Sequence, residues 1–254
     1  ILVDAANGAN YKITPMLLRE LGANTINVNC DPDGFNINVD SAVLKQELFA
    51  EYAKNYEFDY CVAVDGDGDR IVLSDAKGRI FTGDDILYTL ASRNKMIGKD
   101  QSDSVIGTTM SNQGVVEALG KLGISFLRTD VGDKYISREL VKRDLNVGAE
   151  PSGHIIQREF SESGDANIAL IQTLAALQEL DTTIEEIKKN INYKPLSLKN
   201  FSVADIKVIE SQIFIESIEK LQKNYPDARI SVRKSGTEPI ISCLLYTSPS
   251  PRDS

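Results

Sequence analysis

Three aspartates that alternate with glycines are the residues of this chain best suited to chemistry. They lie in the segment VAVDGDGDR, which ends at Arg70 and contains Asp65, Asp67 and Asp69. Glycine lets the backbone curl, so carboxylates that would alternate in a strand can converge on one point. Converging carboxylates repel one another unless a cation lies between them, and hard oxygen ligands suit Mg²⁺ or a similar divalent ion. We therefore predict that residues 65–70, here called the metal loop, bind a divalent cation.

Two other interpretations of these aspartates differ in strength. An EF-hand is excluded, because its sixth and twelfth positions need glycine and glutamate, whereas counting from Asp65 they hold Arg70 and Ala76. A solvated acidic turn stays open as the alternative, although a turn rarely needs three aspartates spaced by glycines. The apolar run Tyr60–Val64 before the loop predicts a buried strand that ends where the aspartates begin.

A second loop, GAEPSGH at residues 148–154, combines a glutamate, a hydroxyl and the single histidine of the sequence. Glu150 can accept hydrogen bonds from sugar hydroxyls, and Ser152 can donate or accept them. His154 can orient a hydroxyl or take its proton. We predict that these residues, here called the sugar loop, bind substrate, with a simple β-turn between strands as the alternative.

A third loop, RKSGTEP at residues 233–239, suits a phosphate group. Arg233 supplies charge, Ser235 and Thr237 supply hydroxyls, and Gly236 exposes backbone N–H groups. The order of residues is not that of a Walker A loop. We predict a phosphate loop here, with a solvated loop as the alternative.

A fourth loop, TDVGDKY at residues 129–135, carries charged side chains in front of a predicted helix. Lys134 and its acidic neighbours could face a substrate or could cap the helix that follows. Both interpretations stay open.

Composition narrows the classes of function. The 254 residues suffice for one to three domains, and a hydrophobic content of 42% is ordinary for a globular protein. A net charge of −9 argues against general nucleic-acid binding. The three cysteines form no CxxC pair, which argues against a zinc site or a disulfide framework and favours a reducing, cytoplasmic compartment. No apolar stretch approaches the length of a membrane span.

Strand-like apolar runs alternate with helix-like periodic segments along most of the chain. Such alternation predicts an α/β protein with mostly parallel pairing. We expect two consecutive α/β/α mixed-sheet domains over residues 1–79 and 80–192, then a small, incomplete α+β domain over residues 193–242. The segment 243–254, CLLYTSPSPRDS, lacks periodicity and is expected to be a non-native or disordered tail. Because the chain opens on ILVDAANG without a methionine, we also expect an N-terminal truncation.

Three helix boundaries serve as local tests of these expectations. Thr14 and Pro15 predict the start of the first helix. The apolar periodicity predicts a second helix over Ser41–Asn55. A further helix is expected over Asp133–Arg143, after the fourth loop.

The order of the three principal loops resembles that of the α-D-phosphohexomutase superfamily, whose members carry DGDGDR, a GExSGH-type loop and RxSGTEP in sequence. The resemblance runs over residues 1–242. Within the superfamily, the segments VDAANGANYKITPMLLRELGAN, GTTMSNQG, VGDKY and RKSGTEP are most similar to bacterial phosphoglucosamine mutases. The family fold has four domains, and this chain resembles the second to fourth. The first, which carries the phosphorylated serine, has no counterpart here, so we expect the chain alone to be inactive.

The resemblance implies an isomerase that interconverts glucosamine 6-phosphate and glucosamine 1-phosphate through a phosphoserine and a sugar 1,6-bisphosphate. The three aspartates would hold one Mg²⁺ per active site, and Arg70 would add positive charge beside them. Glu150 and Ser152 would hold sugar hydroxyls, His154 would transfer or orient a proton, and Lys134 would assist closure. The residues that would grip the non-reacting phosphate are Arg233, Ser235, Gly236 and Thr237.

Other functions remain as alternatives. Pro151 stands where phosphoglucosamine mutases commonly have Asn or Gln, so a phosphoglucomutase or phosphomannomutase of the same superfamily stays open. A haloacid-dehalogenase-type phosphatase would use its first aspartate as nucleophile, but it usually shows DxDGT. A non-catalytic sugar-phosphate binding module is a further alternative. The expected partners are a hexose or hexosamine phosphate and, in the full-length protein, a second copy in a homodimer, with neither nucleic acid nor membrane.

Overall fold

The computed structural model describes residues 1–99, 103–203, 205–225, 229–234 and 240–246. Its strands are β1 Leu2–Asp4, β2 Ile26–Val28, β3 Tyr60–Val64, β4 Ile71–Asp75, β5 Ile80–Phe81, β6 Ser104–Thr108, β7 Ser125–Thr129, β8 Val147–Ala149, β9 Ile155–Gln157, β10 Leu196–Ser202, β11 Arg229–Lys234 and β12 Ile240–Tyr246. Its helices are α1 Ile13–Glu20, α2 Leu48–Asn55, α3 Gly83–Met96, α4 Gln113–Lys121, α5 Asp133–Arg143, α6 Ala166–Glu179, α7 Ile184–Asn190 and α8 Gln212–Asn224, with a 3₁₀ helix at Ile206–Glu210. Within the described residues, no helix is long and apolar enough to cross a membrane.

The chain divides into two compact units. The first contains residues 1–111 and 115–192, and the second contains residues 112–114 and 193–254. The first unit holds two sheets, and the metal and sugar loops both belong to it.

The first sheet has the strand order β2-β1-β3-β4-β5. Strands β2, β1 and β3 are parallel, whereas β4 and β5 are antiparallel to their neighbours. Strands β3 and β4 pair antiparallel, with Val64 at the end of β3 opposite Ile71 at the start of β4. The metal loop is the turn that joins these two buried strands. The apolar run before the aspartates therefore anchors the loop in the core, with Cys61 and Val64 fully buried.

The second sheet has the order β7-β6-β8-β9, in which only β9 runs antiparallel. Strand β8 turns into β9 through the sugar loop, and Val147 pairs with Gln157 beyond it. The core beneath this sheet joins Ile106 on β6 to Ile136 and Leu140 on α5. Both sheets are mixed and both connect to helices, so the predicted α/β class is confirmed.

The second unit contains a three-stranded antiparallel sheet of order β10-β12-β11 together with the 3₁₀ helix and α8. Strand β12 continues through Tyr246, which pairs with Leu196 on one side and Arg229 on the other. Residues 243–246 were expected in a disordered or non-native tail, but they form backbone pairs with both neighbouring strands. Residues 247–254 lie outside the described part of the chain.

The helix boundaries show where local sequence signals compete with tertiary contacts. Helix α5 spans Asp133–Arg143, as predicted. Helix α2 begins only at Leu48, so the predicted start at Ser41 was wrong. The backbone N–H of Ala42 donates instead to the buried carboxylate of Asp4 at 2.7 Å, and residues 41–47 form turns. Helix α1 begins one residue before Thr14.

Asp4 organises the end of β1 from a fully buried position. Its Oδ1 accepts from the backbone N–H of Ala6 and from Asn29 Nδ2, each at 3.0 Å. Its Oδ2 accepts from the N–H of Ala42 and, at 3.1 Å, from the hydroxyl of Tyr52. Burial and the charge of Asp4 raise the pKa of Tyr52 well above its usual range. These bonds join β1 to α2 and to the turns before it.

Removing the Tyr52 hydroxyl is therefore expected to destabilise the first unit. Tyr52→Phe takes one donor from a buried carboxylate, which should cost about 1–2 kcal/mol of unfolding free energy. Urea denaturation followed by circular dichroism measures the difference. Tyr56→Phe is the matched control, because Tyr56 packs edge-on against Tyr52 but is 42% exposed. Equal stability of the two variants would contradict this account of Asp4.

Candidate metal and sugar-phosphate site

The structure brings the three aspartates of the metal loop together. One carboxylate oxygen from each residue lies within 4.8 Å of the others. Two ligands of an octahedral Mg²⁺ lie about 3–4 Å apart, so a small inward movement of these side chains would let all three bind one ion. Asp65 is fully buried, Asp67 is exposed and Asp69 is intermediate, so the cluster is partly open to solvent.

Asp69 shows that the cluster fits a cation. Its Oδ1 is buried and, among the described residues, has no hydrogen-bond partner, while Arg70 Nε lies 3.6 Å away. Burial raises the pKa of Asp69, and the neighbouring charge of Asp65 raises it further. A buried carboxylate oxygen without a hydrogen bond is costly, and a divalent cation would offset the repulsion and give this oxygen a close contact.

Arg70 lies on Asp65 and holds it in place. Its Nε donates to Asp65 Oδ2 at 2.6 Å, and its backbone N–H donates to Asp65 Oδ1 at 3.0 Å. The Arg70 side chain remains 37% exposed. The sequence predicted positive charge beside the aspartates, and the structure places it there as an ion pair with the innermost carboxylate.

Backbone contacts fix the metal loop from its first glycine. The carbonyl of Gly66 accepts from the N–H of Ala9 at 2.8 Å, and the N–H of Gly66 donates to Asn38 Oδ1 at 2.9 Å. A Cβ on Gly8 would lie 2.3 Å from the Gly66 carbonyl oxygen. Gly8 passes so close to the metal loop that a side chain at this position would displace the loop.

The second glycine of the loop meets the start of α6. The Gly68 carbonyl accepts from the N–H of Ala166 at 3.0 Å. Gly68 has φ +80°, and a Cβ there would lie 2.2 Å from Asn10 Nδ2. Asn10 Oδ1 in turn accepts from Asn167 Nδ2 at 3.2 Å. Sequence reasoning missed Asn10 and Asn167, because residues 157 positions apart leave no local signal.

The sugar loop lies directly beside the metal loop. The N–H of Ile71 donates to the Gly153 carbonyl at 3.0 Å, and a β-bridge pairs Arg70 with His154. Gly153 has φ +99°, and a Cβ there would lie 2.1 Å from the Ile71 carbonyl oxygen. Glycine is thus required where the two loops touch. The two loops that the sequence predicted separately are thus joined through their backbones.

Glu150 joins the sugar loop to the fourth loop. Its Oε1 accepts from the N–H of Gly132 at 2.8 Å, and its Oε2 accepts from the Ser152 hydroxyl at 3.4 Å. Ser152 is exposed, and Lys134 is exposed on the first turn of α5, with its Nζ 5.0 Å from the Tyr135 ring centroid. Gly132 was not singled out from the sequence. The structure shows why this position of the VGDKY segment is a glycine: its φ is +132°, a conformation that favours glycine.

His154 is buried, unlike the exposed Ser152 and Lys134. Its side chain is 7% exposed, and its Nδ1 lies 3.2 Å from Asp69 Oδ2. Its Nε2 is buried and has no hydrogen-bond partner within the described residues. The structure therefore brings His154 to the metal loop and away from solvent.

The phosphate loop belongs to the second unit. Arg233 lies in β11, opposite Ser242 of β12. The remaining predicted phosphate ligands lie outside the described residues: Ser235, Gly236 and Thr237. The first unit thus holds the predicted metal and sugar groups, and the second unit carries the strand that leads into the predicted phosphate loop.

Comparison with known protein families supports both domains of the first unit. Residues 1–78 match the phosphoglucomutase/phosphomannomutase alpha/beta/alpha domain II, and residues 82–193 match domain III of the same family. Phosphoglucosamine mutase from Psychrobacter cryohalolentis is 38% identical over 247 residues, which cover 96% of this chain and 53% of that protein. The enzyme of the same name from Thermodesulfovibrio yellowstonii is 39% identical over 251 residues. The chain spans about half the length of these curated relatives.

Solved structures share the fold at lower identity. N-acetylphosphoglucosamine mutase from Aspergillus fumigatus, crystallised with GlcNAc-6P and magnesium, aligns with a TM-score of 0.79 and 20% identity over 99% of this chain and 58% of its own. An N-acetylglucosamine-phosphate mutase in its product complex aligns with a TM-score of 0.78 and 20% identity over 98% of this chain and 58% of its own. With two matched domains and these relatives, the chain belongs to the α-D-phosphohexomutase superfamily and is similar to bacterial phosphoglucosamine mutases.

Proposed function

We propose that the whole protein interconverts glucosamine 6-phosphate and glucosamine 1-phosphate, and that this chain supplies its metal, sugar and phosphate loops. The observation that supports this proposal is that the backbone joins a carboxylate triad to a Glu–Ser loop in a chain 36–39% identical to phosphoglucosamine mutases. An isolated metal loop would fit many enzymes. A metal loop that hydrogen-bonds to a loop of sugar-binding groups suits a phosphorylated sugar.

The metal loop would bind Mg²⁺ through Asp65, Asp67 and Asp69, and the bound ion would neutralise negative charge on a phosphoryl group in transfer. Arg70 would keep Asp65 in place, because it donates to both of its oxygens. The buried side of the loop would exclude water from behind the triad, while the exposed Asp67 would face the substrate.

The sugar loop would orient the substrate. Glu150 Oε2 and the Ser152 hydroxyl face one another at 3.4 Å, and a sugar hydroxyl could bridge them as donor to the first and acceptor from the second. Lys134 would approach an anionic substrate from the fourth loop. Arg233, Ser235, Gly236 and Thr237 would hold the phosphate that does not react.

The reaction would proceed in two transfers. A phosphoserine, supplied by the whole protein outside this chain, gives its phosphoryl group to a free sugar hydroxyl, which loses its proton while the serine oxygen leaves. The resulting sugar 1,6-bisphosphate reorients and returns its other phosphoryl group to the serine. Hexose phosphates are the second candidate substrates, because Pro151 contributes no side-chain hydrogen bond where an amide would.

The product of the whole gene tests this function. With Mg²⁺ and a trace of sugar bisphosphate, ³¹P NMR should show rapid interconversion of glucosamine 1- and 6-phosphates and much slower turnover of the glucose and mannose phosphates. Preference for glucose or mannose phosphate would keep the superfamily and overturn the amino-sugar assignment. No turnover of any of them would favour a sugar-phosphate binding module.

Metal binding can be measured on this chain alone. Asp67→Asn is expected to raise the Kd for Mg²⁺ at least about tenfold by isothermal titration calorimetry, because it removes one ligand charge. Asp144→Asn is the matched control. Asp144 is 90% exposed and lies in the left-handed region, which asparagine tolerates. Equal affinities of the two variants would contradict the triad as the metal site.

Substrate binding by Glu150 predicts a separate effect. In the whole protein, Glu150→Gln should lower kcat/KM roughly 10- to 100-fold, because a hydrogen bond to a charged group is lost. The Kd for Mg²⁺ should stay unchanged. Glu162→Gln, at an exposed glutamate twelve residues later, is the control and should keep normal kinetics. Unchanged kcat/KM in Glu150→Gln would remove Glu150 from the substrate site.

A further inference from the structure

We propose that two amide side chains, Asn10 and Asn167, position the metal loop and make its binding site selective for Mg²⁺ over Ca²⁺. Asn10 precedes α1 in the first matched domain, and Asn167 lies in the first turn of α6 in the second. The inference rests on the proposed metal site and deepens it, because it names the residues that hold the loop in the shape a small cation needs.

The first observation is the contact of Asn10 with the metal loop. The side chain of Asn10, which is buried, lies against Gly68, the residue between Asp67 and Asp69. A Cβ on Gly68 would lie 2.2 Å from Asn10 Nδ2, so the amide fills the space that a side chain at position 68 would occupy. Because Gly68 separates two of the proposed ligands, the position of its backbone affects the distance between them.

The second observation is a chain of side-chain hydrogen bonds that holds the Asn10 amide. Asn167 Nδ2 donates to Asn10 Oδ1 at 3.2 Å, and Thr14 Oγ1 donates to Asn167 Oδ1 at 2.6 Å. Thr14 is fully buried. The Asn167 amide is thus bonded at both its oxygen and its nitrogen to the segment that starts α1. Such a network fixes each amide in one orientation.

The first turn of α6 also holds Gly68 through its backbone. The N–H of Ala166 donates to the Gly68 carbonyl at 3.0 Å. Asp165 caps the helix by accepting from the N–H groups of Asn167 and Ile168 at 2.8 and 3.0 Å, which fixes the start of α6. Gly68 is therefore held twice: its carbonyl bonds to Ala166, and the side chain that packs on it is oriented by the next residue of α6.

Support of this kind affects small and large cations differently. Mg²⁺ requires nearly ideal octahedral geometry with ligands at about 2.0–2.1 Å, whereas Ca²⁺ accepts flexible arrangements with ligands at about 2.3–2.6 Å. A loop held at Gly68 presents its carboxylates in a limited range of positions, so little ordering is left to occur when the cation binds. Loss of the two amides should therefore weaken the binding of Mg²⁺ more than that of Ca²⁺.

Calorimetric titration of this chain with Mg²⁺ and with Ca²⁺ tests the proposal. Asn167→Ala removes both side-chain bonds and should raise the Kd for Mg²⁺ about 5- to 30-fold, the effect expected of a residue that acts on a site through intermediate contacts. The Kd for Ca²⁺ should stay nearly unchanged. Thr14→Val removes one hydroxyl of the network and should have the same effect at smaller size, whereas Thr14→Ser keeps the hydroxyl and should restore the affinity for Mg²⁺.

Thr173→Val is the matched control. Thr173 is also fully buried, but its hydroxyl donates to the Ala169 carbonyl within α6 at 2.6 Å. Its loss should leave both Kd values unchanged. Circular dichroism checks that each variant is folded, and Thr14→Val carries the test if Asn167→Ala does not fold.

An unchanged Kd for Mg²⁺ in Asn167→Ala and Thr14→Val would overturn the proposal. A parallel loss of affinity for both cations would also overturn it, because general loosening of the fold produces that result. If the unsubstituted chain binds no Mg²⁺, the proposed metal site itself fails and this inference fails with it. Turnover of sugar phosphates plays no part in these titrations, so failure of the proposed reaction in the whole protein is a separate result.

Discussion

Mutual repulsion of three carboxylates is the constraint on which the rest of the first unit depends. Asp65, Asp67 and Asp69 converge within 4.8 Å, and burial strengthens their repulsion because the interior screens charge poorly. A flexible loop would relieve the strain by turning the side chains outward. Here the loop backbone is fixed by hydrogen bonds at both of its glycines. The cost of assembling the charges is thus met by backbone contacts and by the ion pair of Asp65 with Arg70.

The site forms where two sheets of similar design meet. Each sheet is parallel up to its first antiparallel hairpin, and the turn of that hairpin carries the predicted functional groups: the metal loop after β3 and the sugar loop after β8. The two turns are joined by the backbone hydrogen bond from Ile71 to Gly153, within the β-bridge that pairs Arg70 with His154. Backbone bonds do not depend on side-chain identity. The contact between the two turns therefore positions both loops and leaves their side chains available for chemistry.

The sequence was sufficient for the fold class and for most elements, since hydrophobic periodicity reports local burial directly. It predicted α5 at its observed bounds, and the apolar run before the aspartates predicted β3. It failed at Ser41, where turns replace the predicted start of the helix and the N–H of Ala42 bonds to Asp4, 38 residues earlier. The composition of Cys243–Tyr246 suggests a tail, whereas the backbone of these residues pairs with two strands. Contacts between segments distant in sequence leave no mark on a local pattern.

The sequence by itself determined which chemical groups are present and in what order: the aspartate triad, the Glu–Ser–His loop and the basic phosphate loop. The tertiary structure alone decided how they are used. It set Arg70 on Asp65, joined Glu150 to Gly132, and turned His154 inward to Asp69. The reason is physical. Spacing along a chain defines which side chains share a loop, but the burial and hydrogen-bond partners of a side chain depend on segments that meet only when the chain has folded.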